Sequence, residues 1–173
     1  MVTHPSILLI EDSPGERELF RLALVQTGLN VTLCAEQDAE TAFRFLKEQA
    51  KVQAEAEWRY TGSTNPGAPT SPSTLTSIFP PLPCLILLDL HLRNQNGCDF
   101  LKRLRTDARF ATIPVIIFTT SDDQTDLAHC YANGANGYVV KPGTFAELIQ
   151  CTTDICRYWL ERNRVPQMMG TPC

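Results

Sequence analysis

The chain has 173 residues, 43% of them hydrophobic and 20% charged, and a formal net charge of −4. That is the length of one domain with a full core and an ordinary globular composition, which excludes a disordered, collagenous or coiled-coil chain. No apolar run approaches the ~20 residues of a membrane span, no basic cluster is present to neutralise nucleic-acid phosphates, and the N-terminus lacks the apolar stretch of a secretory signal, so a cytoplasmic protein without a nucleic-acid or membrane partner is expected.

Ser6 to Ile10 is a short apolar run that does not alternate, as expected of a strand covered on both faces. Ser13, followed by Pro14 and by Glu16 three residues on, predicts a capping box and a helix start, and Leu19, Phe20, Ala23 and Leu24 keep helical spacing up to a stop at Gly28. Val31 to Ala35 reads as a second strand, and a second helix begins after Asp38 and runs toward Trp58. Tyr60 to Pro83 breaks the rhythm, being rich in Pro, Gly, Ser and Thr and poor in apolar residues, and reads as an insertion. Cys84 to Leu88, Val115 to Phe118 and Tyr138 to Val140 are three further strands, and the pairs Ser121 with Gln124 and Thr144 with Glu147 predict capping boxes for the helices after the last two. Alternation of this kind predicts an α/β fold, a parallel sheet joined by right-handed crossovers with helices on both faces. The seven cysteines include no C-x-x-C and no zinc-finger spacing, so most read as reduced, inert core residues, with terminal Cys173 the exception. His4 and His129 show no metal-ligand spacing.

In an open parallel sheet the ligand site lies beyond the carboxyl ends of the strands, where strand order reverses. The first strand delivers Glu11 and Asp12 there, the third Asp89, the fourth Thr119 and Thr120, and the fifth Lys141 followed by Pro142. One acid at a strand end is ordinarily a loop cap or a solvated charge. Three gathered together repel one another and recruit a cation, and Mg²⁺ takes oxygen ligands in company with a phosphate. Lys141 then offers a point charge to an anion and Thr119 a neutral hydrogen-bond donor. The first turn reads Glu11-Asp12-Ser13-Pro14-Gly15 where a dinucleotide fold needs its glycine fingerprint, which argues against nucleotide binding.

Ile7-Leu8-Leu9-Ile10-Glu11-Asp12, Leu87-Leu88-Asp89, Phe118-Thr119-Thr120 and Tyr138-Val139-Val140-Lys141-Pro142 together resemble the response-regulator receiver domain over about residues 5 to 160. The resemblance implies a doubly wound, five-stranded parallel sheet of flavodoxin-like order 2-1-3-4-5. It implies a receiver domain over 1–163, with an insertion at about 59–83, and a tail over 164–173. It further implies that Asp89 is the phospho-acceptor and that Glu11 and Asp12 hold Mg²⁺ with Asp89 and the backbone carbonyl of His91. Thr119 then senses the phosphoryl group, Lys141 pairs with it, and Tyr138 is the switch aromatic. Asp12-Ser13-Pro14-Gly15, Thr119-Thr120-Ser121 and Tyr158-Trp159-Leu160 look most like the single-domain regulators that serve phytochrome-type sensor histidine kinases. Departures from the family pattern are His91, where asparagine is frequent, and Arg93, where many members have proline.

The expected function is therefore a two-component response regulator, a phosphorylated signalling domain and not an enzyme. Only about 32 residues follow Lys141, so no output domain is expected and the signal leaves through a surface. Two other classes compete. A Mg²⁺-dependent aspartyl phosphatase would carry its nucleophile after the first strand with a second acid two residues on, and a phosphorylation-independent, receiver-like binding module would lack one of Asp12, Asp89 or Lys141. The last helix adds a partner: Phe145, Leu148, Ile149, Cys151, Ile155, Cys156, Tyr158, Trp159 and Leu160 spread over roughly 200° of its circumference, more than its own sheet needs. A homodimer through that helix and the fifth strand is expected, with Cys151, Ile155 and Tyr158 on its edge.

Overall fold

The computed structural model describes residues 4–61, 82–93 and 95–164. Five parallel strands, β1 (Ser6–Ile10), β2 (Thr32–Glu36), β3 (Leu85–Leu88), β4 (Val115–Thr119) and β5 (Gly137–Val140), form one sheet in the order β2-β1-β3-β4-β5. Every residue of β1, β3 and β4 is buried, whereas β2 and β5 are partly open. The apolar runs that do not alternate are thus the three central strands, covered on both sides. The expected order 2-1-3-4-5 is the one found. Its reversal point lies between β1 and β3, which pair with Leu9 beside Leu87.

Five helices cover the sheet: α1 (Pro14–Gln26), α2 (Ala39–Thr61), α3 (Gly97–Thr106), α4 (Gln124–Ala132) and α5 (Phe145–Cys156). Because side chains alternate along a strand, each face collects its own core. Ile7, Leu9, Leu85, Leu87, Ile116 and Phe118 meet Phe20 and Leu24 of α1 and Ile155 and Cys156 of α5. On the opposite face Leu8, Ile10, Ile86, Leu88 and Ile117 meet α2 and α3, where Phe43 stacks edge-on against both Phe100 and Phe110. Arg105 ties the far end of this layer together, donating to the carbonyls of Ala111, Ile113 and Gly134 and to Asn136. Gly134, at φ +93°, supplies the left-handed turn against which that guanidinium packs.

The helix starts depart from the sequence expectation in two places. Ser13 caps α1 by accepting from the Glu16 amide at 3.4 Å, but the Ser13 amide donates to Glu11 at 2.9 Å, so the Glu16 side chain is released and only half of the box forms. At α4 the cap is Asp123, which accepts from the Thr125 amide at 2.6 Å. Asp123 stands directly before the first helical residue, where an acceptor reaches the orphan amides, while Ser121 donates instead to Asp126 at 2.7 Å. Thr144 and Glu147 form the full reciprocal box expected of them.

Three other differences concern element limits. α2 continues to Thr61, past the end expected near Trp58, and most of the proposed insertion, together with Cys173, lies outside the described residues. Between β3 and α3 a two-residue antiparallel ladder, His91–Leu92 with Gln95–Asn96, appears that periodicity could not reveal in so short a run. After α5 the chain continues as a π-helical stretch, Arg157–Arg162, closed by the Asn163 amide on the Tyr158 carbonyl at 2.7 Å. Trp159 and Leu160 of this stretch pack against the α1 and α5 core. Ile155 is also buried there, so only part of the wide apolar stripe reaches solvent: Phe145 is 41% and Tyr158 54% exposed.

Cys34, Cys98, Cys130, Cys151 and Cys156 carry free thiols, and Cys98 Sγ lies 3.2 Å from Cys130 Sγ inside the core. Burial pushes the thiols of Cys130 and Cys156 up to about 12. The thiolate is the reactive form, so both are expected to resist an alkylating reagent at pH 8 in the folded protein and to react fully in denaturant. Labelling at equal rates in the two states, read by peptide mass spectrometry, would contradict this.

Candidate functional site

The sheet ladders run past the strand ends and fix the backbone of the residues that matter. The Glu11 amide donates to Glu36 at 3.0 Å, the Asp89 amide to Ile10 at 3.0 Å and the Lys141 amide to Thr119 at 2.7 Å. Side chains more than a hundred residues apart in sequence therefore meet on one edge. Single carboxylate oxygens of Glu11, Asp12 and Asp89 all lie within 4.8 Å of one another. Lys141 reaches in from β5, its Nζ 2.5 Å from Glu11 Oε2 and 3.6 Å from Asp89 Oδ2, and in direct contact with Glu16. Arg93 closes the outer side through its Nε, 3.1 Å from Asp12 Oδ2.

Burial sets the electrostatics. Glu11 and Asp89 are buried at 2% and 7% exposure. Loss of water raises the Glu11 pKa above the usual carboxylate value, against the hydrogen bond and charge of Lys141, which work to lower it. Burial also acts to lower the pKa of Lys141, but the hydrogen bonds it donates to Glu11 and Glu16 and the charge of Asp89 outweigh it and hold the ammonium above its ordinary range. Four carboxylates, Glu11, Asp12, Glu16 and Asp89, face Lys141 and Arg93 in ion pairs, and Arg17 adds a third cation by donating to the Glu11 carbonyl at 2.5 Å. Negative charge remains in excess, and the cluster offers the hard oxygen donors that a divalent ion takes. The residues present fit a divalent metal.

The remaining expected residues line the same edge. Thr119 is fully buried; its Oγ1 accepts from the Ser121 amide at 3.3 Å and lies 3.5 Å from His91 Nδ1. Tyr138 is half-buried, and its hydroxyl donates to the Ser121 carbonyl at 3.1 Å, so it turns inward against the β4–α4 connection. Asp89 Oδ1 accepts from the next amide, Leu90, at 2.8 Å, which orients the carboxylate with Oδ2 toward Lys141. Glu11, Asp12, Asp89, Thr119, Lys141 and His91 thus gather as the sequence reading expects, with Tyr138 one loop away.

Two further residues join the site. Glu16 enters the sequence pattern only as a cap; the signal for more is its position in the first turn of a helix that starts at the same edge as the strand ends. Gly97, first residue of α3, lies so close behind the β3 end that a Cβ there would sit 2.4 Å from the Asp89 carbonyl oxygen, and its amide donates to Leu90 at 3.0 Å. A glycine opening a helix just after the critical acid was the sign of that approach.

A carboxylate cluster facing one lysine, at the switch point of a 2-1-3-4-5 sheet, defines a receiver-type α/β domain. A family model for the response regulator receiver domain matches residues 71–153. Response regulator Rcp1 of Synechocystis sp. is 28% identical over 160 residues, covering 92% of each chain, and its Mn²⁺-bound crystal structure superposes with a TM-score of 0.69 over 94% of this chain and 99% of that one. The phosphorylated cyanobacterial phytochrome response regulator RcpA superposes with a TM-score of 0.71 at 25% identity, over 95% of this chain and 99% of that one. A probable methanogenesis regulatory protein of Methanothrix harundinacea, FilR2, is 39% identical over 85 residues, which is 49% of this chain and 55% of that relative. Residues 71–153 thus match the response-regulator receiver family, and over nearly its full length the chain is similar to the response regulators Rcp1 and RcpA, the latter a phytochrome response regulator.

Replacing Gly97 by alanine is expected to push the Asp89 backbone outward, at an overpacking cost of about 1–3 kcal/mol, and to weaken divalent-metal binding. Thermal unfolding together with a metal titration checks this; wild-type stability and affinity in Gly97→Ala would show that the β3–α3 approach is loose.

Proposed function

We propose that this protein is a cytoplasmic phospho-switch in which Asp89 accepts a phosphoryl group from the phosphohistidine of a sensor kinase, of the phytochrome class that its relatives' names point to. It acts as a signalling domain that assists its own phosphorylation and not as a turnover enzyme. One observation carries the reading: Asp89 Oδ2 stands 3.6 Å from the Lys141 ammonium while its carboxylate shares a 4.8 Å cluster with Glu11 and Asp12. An isolated structural acid has no use for both a lysine and two further carboxylates.

In this mechanism a carboxylate oxygen of Asp89 forms the new bond to phosphorus as the bond to the donor nitrogen breaks. Mg²⁺, bound by Glu11, Asp12, Asp89 and the backbone carbonyl of His91, would supply positive charge to the phosphoryl oxygens. Lys141 adds a second positive charge at the end of β5, and the Thr119 hydroxyl donates a neutral hydrogen bond. Little covalent work is left to the protein; positioning and charge complementarity do the rest. The His91 imidazole, near the Thr119 hydroxyl, influences how fast water removes the phosphoryl group.

Thr119 and Tyr138 carry the signal outward. Both hydrogen-bond to Ser121, Thr119 through its amide and Tyr138 through its carbonyl, so a shift of the Thr119 hydroxyl toward a phosphoryl group moves the group that holds the Tyr138 ring. The receiving surface is a homodimer interface through α5 and β5, for which the exposed Val140, Phe145 and Tyr158 speak.

Treatment with a small acyl phosphate and Mg²⁺, followed by intact-mass measurement, is expected to add one phosphoryl group to the wild type and none to Asp89→Asn. A phosphoryl group retained in Asp89→Asn would overturn the assignment.

A further inference from the structure

We infer that Glu16 is a positioning residue for Lys141, holding the ammonium in the unphosphorylated protein and surrendering it when a phosphoryl group arrives on Asp89. The inference rests on the reading of Asp89 as acceptor. Lysine has three N–H donors. Two of them face Glu11 and Glu16 here, while Asp89 Oδ2 is the most distant of the three carboxylates at 3.6 Å.

The two close partners differ in how readily they can let go. Glu11 is almost fully buried, and its other oxygen is engaged by the Ser13 amide, so stripping it of the ammonium would leave a charge in a dry site. Glu16 keeps 42% of its side chain in water and regains hydration when it is released. The exchangeable bond is therefore the one to Glu16. Lys141 itself is only 11% exposed, and its ammonium lies 5.8 Å over the ring of Phe118. Leu19, Phe20 and Leu148 line the apolar cavity beside it. These walls confine any movement to the end of the lysine chain, between Glu16 on one side and Asp89 on the other.

A phosphoryl group brings more negative charge than a carboxylate and three strong acceptor oxygens, so it wins the ammonium. Glu16 is in the first turn of α1, whose backbone stays capped by Ser13, and its release removes the side-chain tie between that turn and Lys141. Phosphorylation thereby reaches the α1 and α5 face as well as the Thr119 and Tyr138 side.

The test is beryllofluoride, a tetrahedral phosphoryl mimic, titrated calorimetrically at saturating Mg²⁺ into wild type and Glu16→Gln, with Glu16→Ala as a second variant. Each variant keeps the Ser13 cap, because that bond comes from the backbone amide. Removing the competing charge is expected to tighten binding about two- to fivefold in both, the range of a partly exposed ion pair, with the gap closing as salt rises from low to high concentration. Equal or weaker binding in Glu16→Gln, or a gap indifferent to salt, would overturn the role of Glu16 alone. No beryllofluoride binding and no phosphoryl uptake by the wild type would overturn the acceptor reading and this inference with it.

Discussion

Everything at the functional edge depends on one electrostatic constraint: more carboxylates converge there than the protein's own cations can neutralise. Lys141 is the cation that makes the arrangement tolerable, touching Glu11 and Glu16 and approaching Asp89. In water such charges would simply separate. Here they cannot, because the ladders of a central parallel sheet set the backbone positions of Glu11, Asp89 and Lys141 through hydrogen bonds of about ordinary length. The repulsion is therefore built in, and a bound cation relieves it. A divalent ion held by these carboxylates would bring positive charge to the Asp89 carboxylate, as the proposed phosphoryl transfer requires.

The rigidity behind this is made elsewhere. β1, β3 and β4 are closed on both faces by two separate cores, so that strand ends cannot drift relative to one another. Close packing of this kind transmits small displacements instead of absorbing them. Loops at the same edge are held more lightly. Arg93, 75% exposed, is the counter-ion of Asp12 and can leave it at little cost, and the Ser121 connection is fastened by side-chain bonds from Thr119 and Tyr138. A rigid floor beneath movable connections is what a switch requires.

Much of this was legible in the sequence because the three central strands are nearly continuous apolar runs, each leading to polar residues of distinct chemistry. Asp89 and Lys141 stand at the ends of Leu85–Leu88 and Gly137–Val140, and it is their joint arrival at one edge that sets them apart from the loop cap or solvated charge each would be alone. Contacts that run from a helix back to the edge were not legible. Glu16 offers a backbone amide to Ser13 and a side chain to Lys141, and one-dimensional spacing reveals only the first. Gly97 looks like an ordinary loop glycine until the Asp89 carbonyl is seen against it. The last apolar stripe is also mostly absorbed by the chain's own core: Ile155 and Cys156 are buried and Trp159 and Leu160 pack against them, which the breadth of a stripe alone does not reveal.

The central claim, that uncompensated carboxylates make the site a metal site, is tested most directly by thermal unfolding with and without Mg²⁺. At Mg²⁺ about a hundredfold above its dissociation constant the wild type is expected to gain about 5 °C or more, by mass action on the folded state. Asp12→Asn, which removes one of the surplus charges and one metal oxygen, is expected to be no less stable than the wild type without metal and to gain almost nothing on its addition. A wild type indifferent to Mg²⁺, or an equal gain in Asp12→Asn, would contradict the account.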